Sequence, residues 1–422
     1  MKDFKTTSPY PVIGIGEAWR LAAHHIAPLS PCELALADLA AGAGPCGTGY
    51  VLAEDIVARE NMPPFAASSM DGYAVIAADS SPRRKVLGEQ EAGSRLEVEI
   101  TPGTTLRIMT GAPLPAGADA VIPVEDTSES DGWVQLRRAV AVGENVRPIG
   151  QDLAVGDLVL AKGAVLGPAE IGLLAAVGRA RALVHPRPRV TVLATGSELV
   201  SPEKPLGPGQ IRDSNSYALR AAVVAAGGVV QAARHVVDEE SALRRALLEA
   251  VAESDLVLTS GGVSMGTHDL IKPLLAELGS VHFGRVAIKP GKPLTFATIQ
   301  GVAVFGLPGF PVSSLACFEN IVRPAMRLMA GHKALWRPAV EARLGHPLRH
   351  APDRTEFQRA ILRQEDGQHW ATTTGSQVSS RLKSLVGANA FLVIPQGIGD
   401  LPQGATVRAL LIGQPEVEEG GW

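Results

Sequence analysis

The sequence predicts a multidomain protein with a doubly wound, three-layer α/β domain at its centre and β-rich regions on either side. The chain has 422 residues, 46% of them hydrophobic, which suffices for about two to four packed domains. Between residues 189 and 330, apolar β-branched runs alternate with segments of helical periodicity. On either side of that stretch, short β-type runs lie between close-set glycine and proline turns.

The N-terminal segment, residues 16–41, has the pattern of two helices. Ser30 is a suitable N-cap, Pro31 suits the first helical position, and Glu33 would complete a capping box. We therefore expect the second helix to begin at this point.

From residue 61 to 149 the pattern becomes β-like. Runs such as Thr105–Met109 and Ala120–Val124 are separated by Gly/Pro turns, which is typical of a small β-rich domain. Residues 150–180 return to strand and helix, and the proline-rich segment Pro186–Pro188 resembles a linker.

The central region alternates regularly between strand and helix patterns. Expected strands are Arg189–Ala194, Val229–Val237, Asp255–Thr259, Val281–Ile288 and Val302–Leu307; expected helices are Ser214–Ala226, Glu239–Ala252, His268–Leu278 and Val312–Met329. Such alternation predicts right-handed βαβ units and a parallel sheet covered on both faces.

After about residue 335 the pattern is β-like again. Short strands are expected at Phe357–Leu362, Trp370–Thr374, Ala390–Ile394 and Thr406–Leu411. Short strands separated by glycine turns predict a small barrel or sandwich, and we expect a C-terminal β-barrel-like domain.

Composition excludes several classes of function. The net charge of −4 and the lack of a basic tract argue against a nucleic-acid-binding protein. Cys32, Cys46 and Cys317 form no C-x-x-C pair, which is typical of a reducing compartment. The segment Met1–Tyr10 lacks the apolar core of a signal peptide, and Ala218–Val230 is too short to span a membrane. We therefore expect a cytoplasmic protein without nucleic-acid or membrane partners.

Three glycine-rich segments follow predicted strands of the central domain. They are Thr195-Gly196-Ser197-Glu198, Thr259-Ser260-Gly261-Gly262-Val263-Ser264 and Gly306-Leu307-Pro308-Gly309. Ligands of open α/β sheets bind beyond the carboxyl ends of the strands, and free N–H groups there favour an anion. Each segment alone could be a plain turn, and none has the spacing of a Walker loop or a dinucleotide fingerprint. Together they predict an anion-binding site.

Charged residues accompany these loops. Lys289 and Lys292 lie on the turn Ile288-Lys289-Pro290-Gly291-Lys292-Pro293 and are either a clamp for phosphate or another oxyanion, or two solvated lysines. Asp213, Asp238 and Asp269 lie in or beside loops of the same sheet. Acidic groups beside a phosphate site commonly hold Mg²⁺, although helix capping is the alternative for each Asp alone.

Five motifs, in order, resemble the molybdopterin molybdenumtransferase (MoeA) family, to which the gephyrin E domain is related. They are Ser69–Val75 (SMDGYAV), Ile108–Pro113 (IMTGAP), Thr259–Ser264 (TSGGVS), Ala287–Pro293 (AIKPGKP) and Gly306–Gly309 (GLPG). The similarity runs from about residue 16 to residue 411.

The resemblance implies four structural regions. These are a discontinuous α/β dimerisation region (1–60 and 150–188), a β-rich domain (61–149), an α/β molybdopterin-binding domain (189–335) and a C-terminal barrel (336–422). It also implies a homodimer whose active site is shared between subunits, and a Mg²⁺-dependent reaction. Adenylylated molybdopterin and molybdate would enter, and molybdenum cofactor and AMP would leave. An upstream molybdopterin adenylyltransferase is an implied partner.

The resemblance also assigns residues by position. Asp71 and Thr110 would act on the site of the other subunit. The remaining catalytic positions would be Glu198, Asp238, Asp269, Lys289 and Lys292, with Glu198, Asp238 and Asp269 as metal ligands. The substrate-binding positions would be Asp152, Thr195, Gly196, Ser260, Gly261, Gly262, Ser264, Pro308, Pro311, Arg359 and Ser376.

The chain departs from the family pattern at three positions. Ser197 stands where Asp is frequent, Phe310 where Asn is frequent, and Arg285 where Lys is expected. These departures leave open altered substrate handling or a paralogue with reduced activity. Two other functions also stay open: a molybdopterin adenylyltransferase, since α/β domains of this kind also serve that step, and a non-catalytic scaffold that binds a partner, as gephyrin-like E domains can.

Overall fold

The computed structural model describes residues 9–41, 49–93, 96–262 and 270–413, which fall into two compact units. The main unit comprises the described residues up to Ala53, Val165–Gly167 and those from Leu183 onward. The inserted unit comprises Glu54–Ala164 and Pro168–Ala182. None of the helices in the described ranges combines the length and the hydrophobicity that a bilayer crossing requires.

The core of the main unit is a six-stranded mixed sheet. In chain order its strands are β1 (Arg189–Thr195), β2 (Val229–Val236), β3 (Leu256–Ser260), β4 (Ser280–Phe283), β5 (Thr295–Ile299) and β6 (Val302–Leu307). Their order across the sheet is β2-β1-β3-β6-β5-β4.

The expectation of a wholly parallel sheet is wrong at one edge. Strands β2, β1, β3 and β6 run parallel, whereas β5 and β4 are joined by antiparallel pairings. The reason is local, because Gln300 and Gly301 both have positive φ and form a two-residue hairpin between β5 and β6.

Helices cover both faces of this sheet. Successive residues of β1 point to opposite faces, as a strand requires: Val192 packs with the apolar cluster that contains Leu219, and Leu193 with the cluster that contains Leu247. This confirms the doubly wound three-layer architecture. The helices are Asn215–Ala225, Glu240–Glu253 and Ile271–Leu278, with the segments Pro311–Cys317 and Arg323–Met329 joined by a π-helical turn at Phe318–Val322.

The N-terminal segment differs from the expectation. A helix at Ile15–His24 packs Ala18 and Ala22 into the main core, but the predicted second helix does not begin near Ser30. Cys32–Ala35 is instead a strand, in a three-stranded sheet with Arg181–His185 and Val51–Leu52. Pairing with a strand distant in sequence overrides the local capping pattern, and the helix begins only at Leu36 (Leu36–Ala41).

The C-terminal region forms a closed five-stranded barrel, as expected. Its strands are Ala339–Leu344, Thr355–Glu365, Gln368–Thr373, Ala390–Ile394 and Thr406–Leu411, with the 3₁₀ turn Leu382–Leu385. Pairing between the second and fourth of these strands closes the barrel.

The prediction of a single strand at Val281–Ile288 is wrong. It divides into β4 and a separate short strand, Ile288–Lys289, which pairs in parallel with the barrel strand Thr355–Glu365. The turn that carries the two lysines is therefore attached to the barrel.

The inserted unit is β-rich, as expected. Its main sheet has the order Ala120–Pro123, Gly72–Val75, Thr104–Ile108, Arg84–Gln90, Trp133–Leu136, Thr127–Ser130. Two further pairs join Ala67–Ser68 to Val146–Arg147 and Ile56–Val57 to Leu158–Leu160. The unit also contains the 3₁₀ turn Val124–Asp126 and the helix Pro168–Ala176.

Candidate active site

A cleft of about 1260 Å³ opens at the carboxyl ends of β1, β3 and β6 in the main unit. This is the edge at which parallel α/β sheets hold ligands. The structure brings together there most of the site residues that the sequence predicts: Thr195, Gly196, Glu198, Asp238, Ser260, Gly261, Gly262, Lys289, Lys292, Pro308 and Pro311. Ser264 and Asp269 lie outside the described residues.

The strand-end loops are packed tightly against one another. A Cβ added at Gly261 would lie 2.4 Å from the carbonyl oxygen of Thr195, so only glycine allows this approach. The side-chain amide of Asn215 links two loops, because Nδ2 donates to Ser260 Oγ (2.8 Å) and to the Gly309 carbonyl (2.7 Å). These loops therefore form a preorganised wall of the cleft.

Two predicted acidic residues, Glu198 and Asp238, line this wall and are exposed. Asp238 Oδ2 accepts hydrogen bonds from the Ser197 backbone N (3.1 Å) and Oγ (3.4 Å), which fixes its position. Asp213 also lines the cleft, but its Oδ1 accepts from the Ser216 N–H (3.0 Å) at the start of a helix. For Asp213 the structure thus favours capping.

The donor set fits a hard divalent cation. Mg²⁺ is commonly bound by one or two carboxylates together with substrate phosphates, and Glu198 and Asp238 supply two carboxylates at the cleft. Within the described ranges, no three His, Cys, Asp or Glu side chains are grouped so as to hold a metal ion by themselves. The protein ligands seen here would need oxygens from a bound phosphate.

Positively charged side chains also line this cleft. Lys289 and Lys292 line the cleft together with Arg212 and Arg354. Lys289 Nζ lies 3.1 Å from Glu356 Oε1. These four cations outnumber the three lining carboxylates, Glu198, Asp213 and Asp238, so the cleft can attract a small anion despite the acidic net charge of the whole chain.

The barrel contributes the rim of the cleft through residues 377–380. Arg359 does not line the cleft: it is 1% exposed, and its guanidinium donates to the carbonyls of Ser376, Gln377 and Val378 (3.2–3.4 Å). Ser376 is likewise held by this contact and is not among the lining residues. The structure therefore places Arg359 behind the cleft lining, as the support of the rim.

Asp71 and Thr110, predicted from distant motifs, lie side by side in the inserted unit. Asp71 Oδ1 accepts from the Thr110 backbone N (2.7 Å) and from its Oγ1 (2.8 Å). These two hydrogen bonds, with Arg107 nearby, lower the pKa of the Asp71 carboxyl below its usual value. In the same unit Asp152 pairs with Arg147 at 3.3 Å.

Several cleft residues were not identified from the sequence. Asn215 could have been found, because an Asn at a helix start beside glycine loops is a recognisable signal. Arg212, Arg354 and the rim residues 377–380 carry no such signal, since they reach the cleft through tertiary packing. Phe310, 59% exposed, lines the cleft at the position where the family pattern has Asn.

Three family models match the chain in order. The MoeA N-terminal region (domain I and II) matches residues 14–178, a probable molybdopterin binding domain matches residues 191–328, and the MoeA C-terminal region (domain IV) matches residues 341–412. Together they cover most of the sequence, and the second contains most of the cleft.

The chain belongs to the MoeA family. The molybdopterin molybdenumtransferase 2 of Mycobacterium tuberculosis is 38% identical over 373 residues, covering 85% of this chain and 92% of that protein. The molybdopterin molybdenumtransferase of Haemophilus influenzae is 38% identical over 363 residues, covering 85% and 90%.

Solved structures agree with this membership of the MoeA family. Two crystal structures of the molybdopterin biosynthesis MoeA protein of Pyrococcus horikoshii align with TM-scores of 0.79 and 0.77 at 32% and 29% identity. They cover 96% and 95% of this chain and 100% of each matched chain.

Proposed function

We propose that the chain inserts molybdate into adenylylated molybdopterin, releasing AMP and forming molybdenum cofactor. The observation that supports this most is the cleft at the carboxyl ends of β1, β3 and β6. It combines glycine loops, two lysines and two carboxylates within the segment that matches a probable molybdopterin binding domain. A pyrophosphate-linked substrate and a metal oxyanion are both anions of the kind such a cleft attracts.

Each group in the cleft has a role in this proposal. The backbone at Gly261 and Gly262, with Lys289 and Lys292, binds the pyrophosphate. Glu198 and Asp238, with Asp269, would hold Mg²⁺, which would supply Lewis-acid stabilisation of the departing phosphate. The protein's own contribution is to position the two anions and offset their charge.

The decisive test is AMP release from adenylylated molybdopterin by the purified protein with Mg²⁺, using molybdate and tungstate in parallel. We expect AMP and active cofactor with at least one oxyanion, and no release after chelation of Mg²⁺. Loading of AMP from ATP onto molybdopterin would favour an adenylyltransferase instead. If the purified protein neither releases AMP with either oxyanion nor loads AMP from ATP, a non-catalytic scaffold is favoured. In cells an upstream molybdopterin adenylyltransferase would supply the substrate, and both steps would be cytoplasmic.

We further propose that the protein is a homodimer in which Asp71 and Thr110 complete the cleft of the other subunit. To test this, Asp71→Asn protein is mixed with Lys289→Ala protein, and their subunits are allowed to exchange. If the site is shared, each heterodimer has one intact site, and roughly a quarter of the wild-type activity returns. If each site uses one chain only, mixing restores nothing. Sedimentation of the wild type checks that it is a dimer.

A further inference from the structure

Lys289 is the only predicted cleft cation for which the described residues show a buried acidic partner. Its Nζ lies 3.1 Å from Glu356 Oε1; the Glu356 side chain is 2% exposed and that of Lys289 is 37% exposed. The two residues are also in register, because Ile288–Lys289 pairs with the barrel strand at Thr355 and Glu356. The barrel thus sets both the backbone and the side chain of Lys289.

Lys289 contacts only one of the two oxygens of the buried Glu356 carboxylate. A buried ion costs free energy unless its charge is compensated and its oxygens are contacted. Oε2 has no hydrogen-bonding partner among the described residues, and the ring of His350 lies next to it, with Nε2 at 3.7 Å.

The His350 ring lies within hydrogen-bonding distance of two carbonyl oxygens. Its side chain is fully buried; Nδ1 lies 2.7 Å from the Ile398 carbonyl oxygen, and Nε2 lies 3.1 Å from the Arg354 carbonyl oxygen. Carbonyl oxygens only accept, and a neutral imidazole has only one N–H. Both contacts are hydrogen bonds only if the ring carries two protons and a positive charge.

Other charged groups near this assembly leave that conclusion unchanged. Asp400 accepts from the His350 backbone N (2.8 Å), and the Asp353 carboxylate is paired with the Arg354 side chain (2.8 Å). Asp400 favours a cationic His350, whereas the Asp353–Arg354 pair carries no net charge. On the other side of the assembly, the buried Arg359 guanidinium also interacts electrostatically with the Glu356 carboxylate.

We propose that Glu356 is a positioning residue for Lys289, and that His350, as an imidazolium, provides the countercharge for Glu356. With His350 charged, the three groups carry one net positive charge, which remains available to the anionic part of the substrate. With a neutral His350, Glu356 would cancel Lys289. This inference rests on the proposed function for the identity of the anion, a pyrophosphate-linked substrate.

The test measures binding of inorganic pyrophosphate by calorimetry to the full chain. We expect Glu356→Gln and Lys289→Ala each to weaken binding about tenfold, the scale of one charge-assisted contact. Because Glu356 acts through Lys289, the double variant should bind as Lys289→Ala does. Glu319→Gln is the matched control, since it removes the partner of Arg337 (2.6 Å) away from the cleft, and should bind normally.

Further variants guard against misfolding and address His350. Glu356→Asp keeps the charge on a shorter side chain and should give intermediate affinity; His350→Gln should weaken binding like Glu356→Gln. ¹⁵N NMR of labelled histidines, assigned by the His350→Gln spectrum, should show two protonated ring nitrogens.

Three results would overturn the inference: wild-type affinity in Glu356→Gln, losses that multiply in the double variant, or a single protonated nitrogen in His350. A wild type that binds no pyrophosphate would also overturn it. A wild type that binds pyrophosphate but releases no AMP would overturn the proposed function alone.

Discussion

Replacement of Gly291 by alanine should destabilise the turn that presents Lys289 and Lys292. A Cβ at this position would lie 2.3 Å from the Sγ of Cys317, which is fully buried. The backbone there has φ +121°, a conformation that L side chains rarely adopt. Burial raises the pKa of the Cys317 thiol, so it is a neutral apolar obstacle that cannot move into solvent.

Two costs add to give the expected magnitude. Overpacking a filled core costs about 1–3 kcal/mol, and a strained backbone conformation costs about 1–3 kcal/mol. Gly291→Ala should therefore lower the free energy of unfolding by about 2–6 kcal/mol, a large part of the roughly 5–15 kcal/mol typical of a domain.

Urea unfolding followed by tryptophan fluorescence measures this loss. Gly301→Ala is the control, because Gly301 also has positive φ (+83°) but nothing lies within 4 Å of an added Cβ; it should lose only about 1–2 kcal/mol. Cys317→Ala removes Sγ and so makes room for the added Cβ. Its effect on the free energy of unfolding should therefore be about 1–3 kcal/mol more favourable in the Gly291→Ala background than in the wild type. Equal losses in the two alanine variants, or no recovery, would refute the steric argument.

Three further predictions concern other parts of the chain. Arg359→Met should cost about 2–4 kcal/mol by leaving three partly buried rim carbonyls without their donor, and should weaken pyrophosphate binding through the rim. Unfolding and calorimetry on the same sample check both effects, and normal binding would contradict the rim's role. Phe310→Asn should change KM for the pterin substrate several-fold, because the side chain is 59% exposed in the cleft. The free energy of unfolding should stay within about 0.5 kcal/mol of the wild-type value. An unchanged KM would show that the ring does not contact substrate. Burial, with the hydrogen bond to Glu129, raises the pKa of Tyr73 to about 12. The contribution of protonated Tyr73 to stability is therefore complete below pH 10 and is lost as the pH rises through 12. Phenolate absorbance of the wild type minus that of Tyr73→Phe should show this late titration, and a titration near pH 10 would contradict it.

Local sequence patterns predicted the parts of the fold that local interactions determine. The strands at Ala390–Ile394, Thr406–Leu411 and Val302–Leu307 have the predicted bounds, because apolar runs between turns fix their ends. The strand at Cys32–Ala35 was predicted as helix, since only its partner at Arg181–His185 makes it a strand. Pairing over a long sequence separation leaves no mark in the local pattern.

The residues of the candidate site also divide into those that local sequence patterns predict and those that depend on tertiary contacts. Glycine loops and the lysine turn stand out in the sequence because their backbone requirements restrict residue type, and the structure assembles them in one cleft. Glu356 and His350 do not stand out. Their roles depend on the barrel strand that pairs with Lys289, and nothing near them in sequence indicates that partner.

The pairing of Ile288–Lys289 with the barrel affects whether the α/β domain can be exchanged alone between family members. A truncation after residue 335 would remove the strand that pairs with Lys289 and the segment 377–380 that rims the cleft. The remaining sheet could keep its apolar core yet lose the geometry of its anion clamp. A chimera of two family members should therefore exchange the α/β domain and the barrel together, since the functional unit extends beyond the domain boundary that is visible in the sequence.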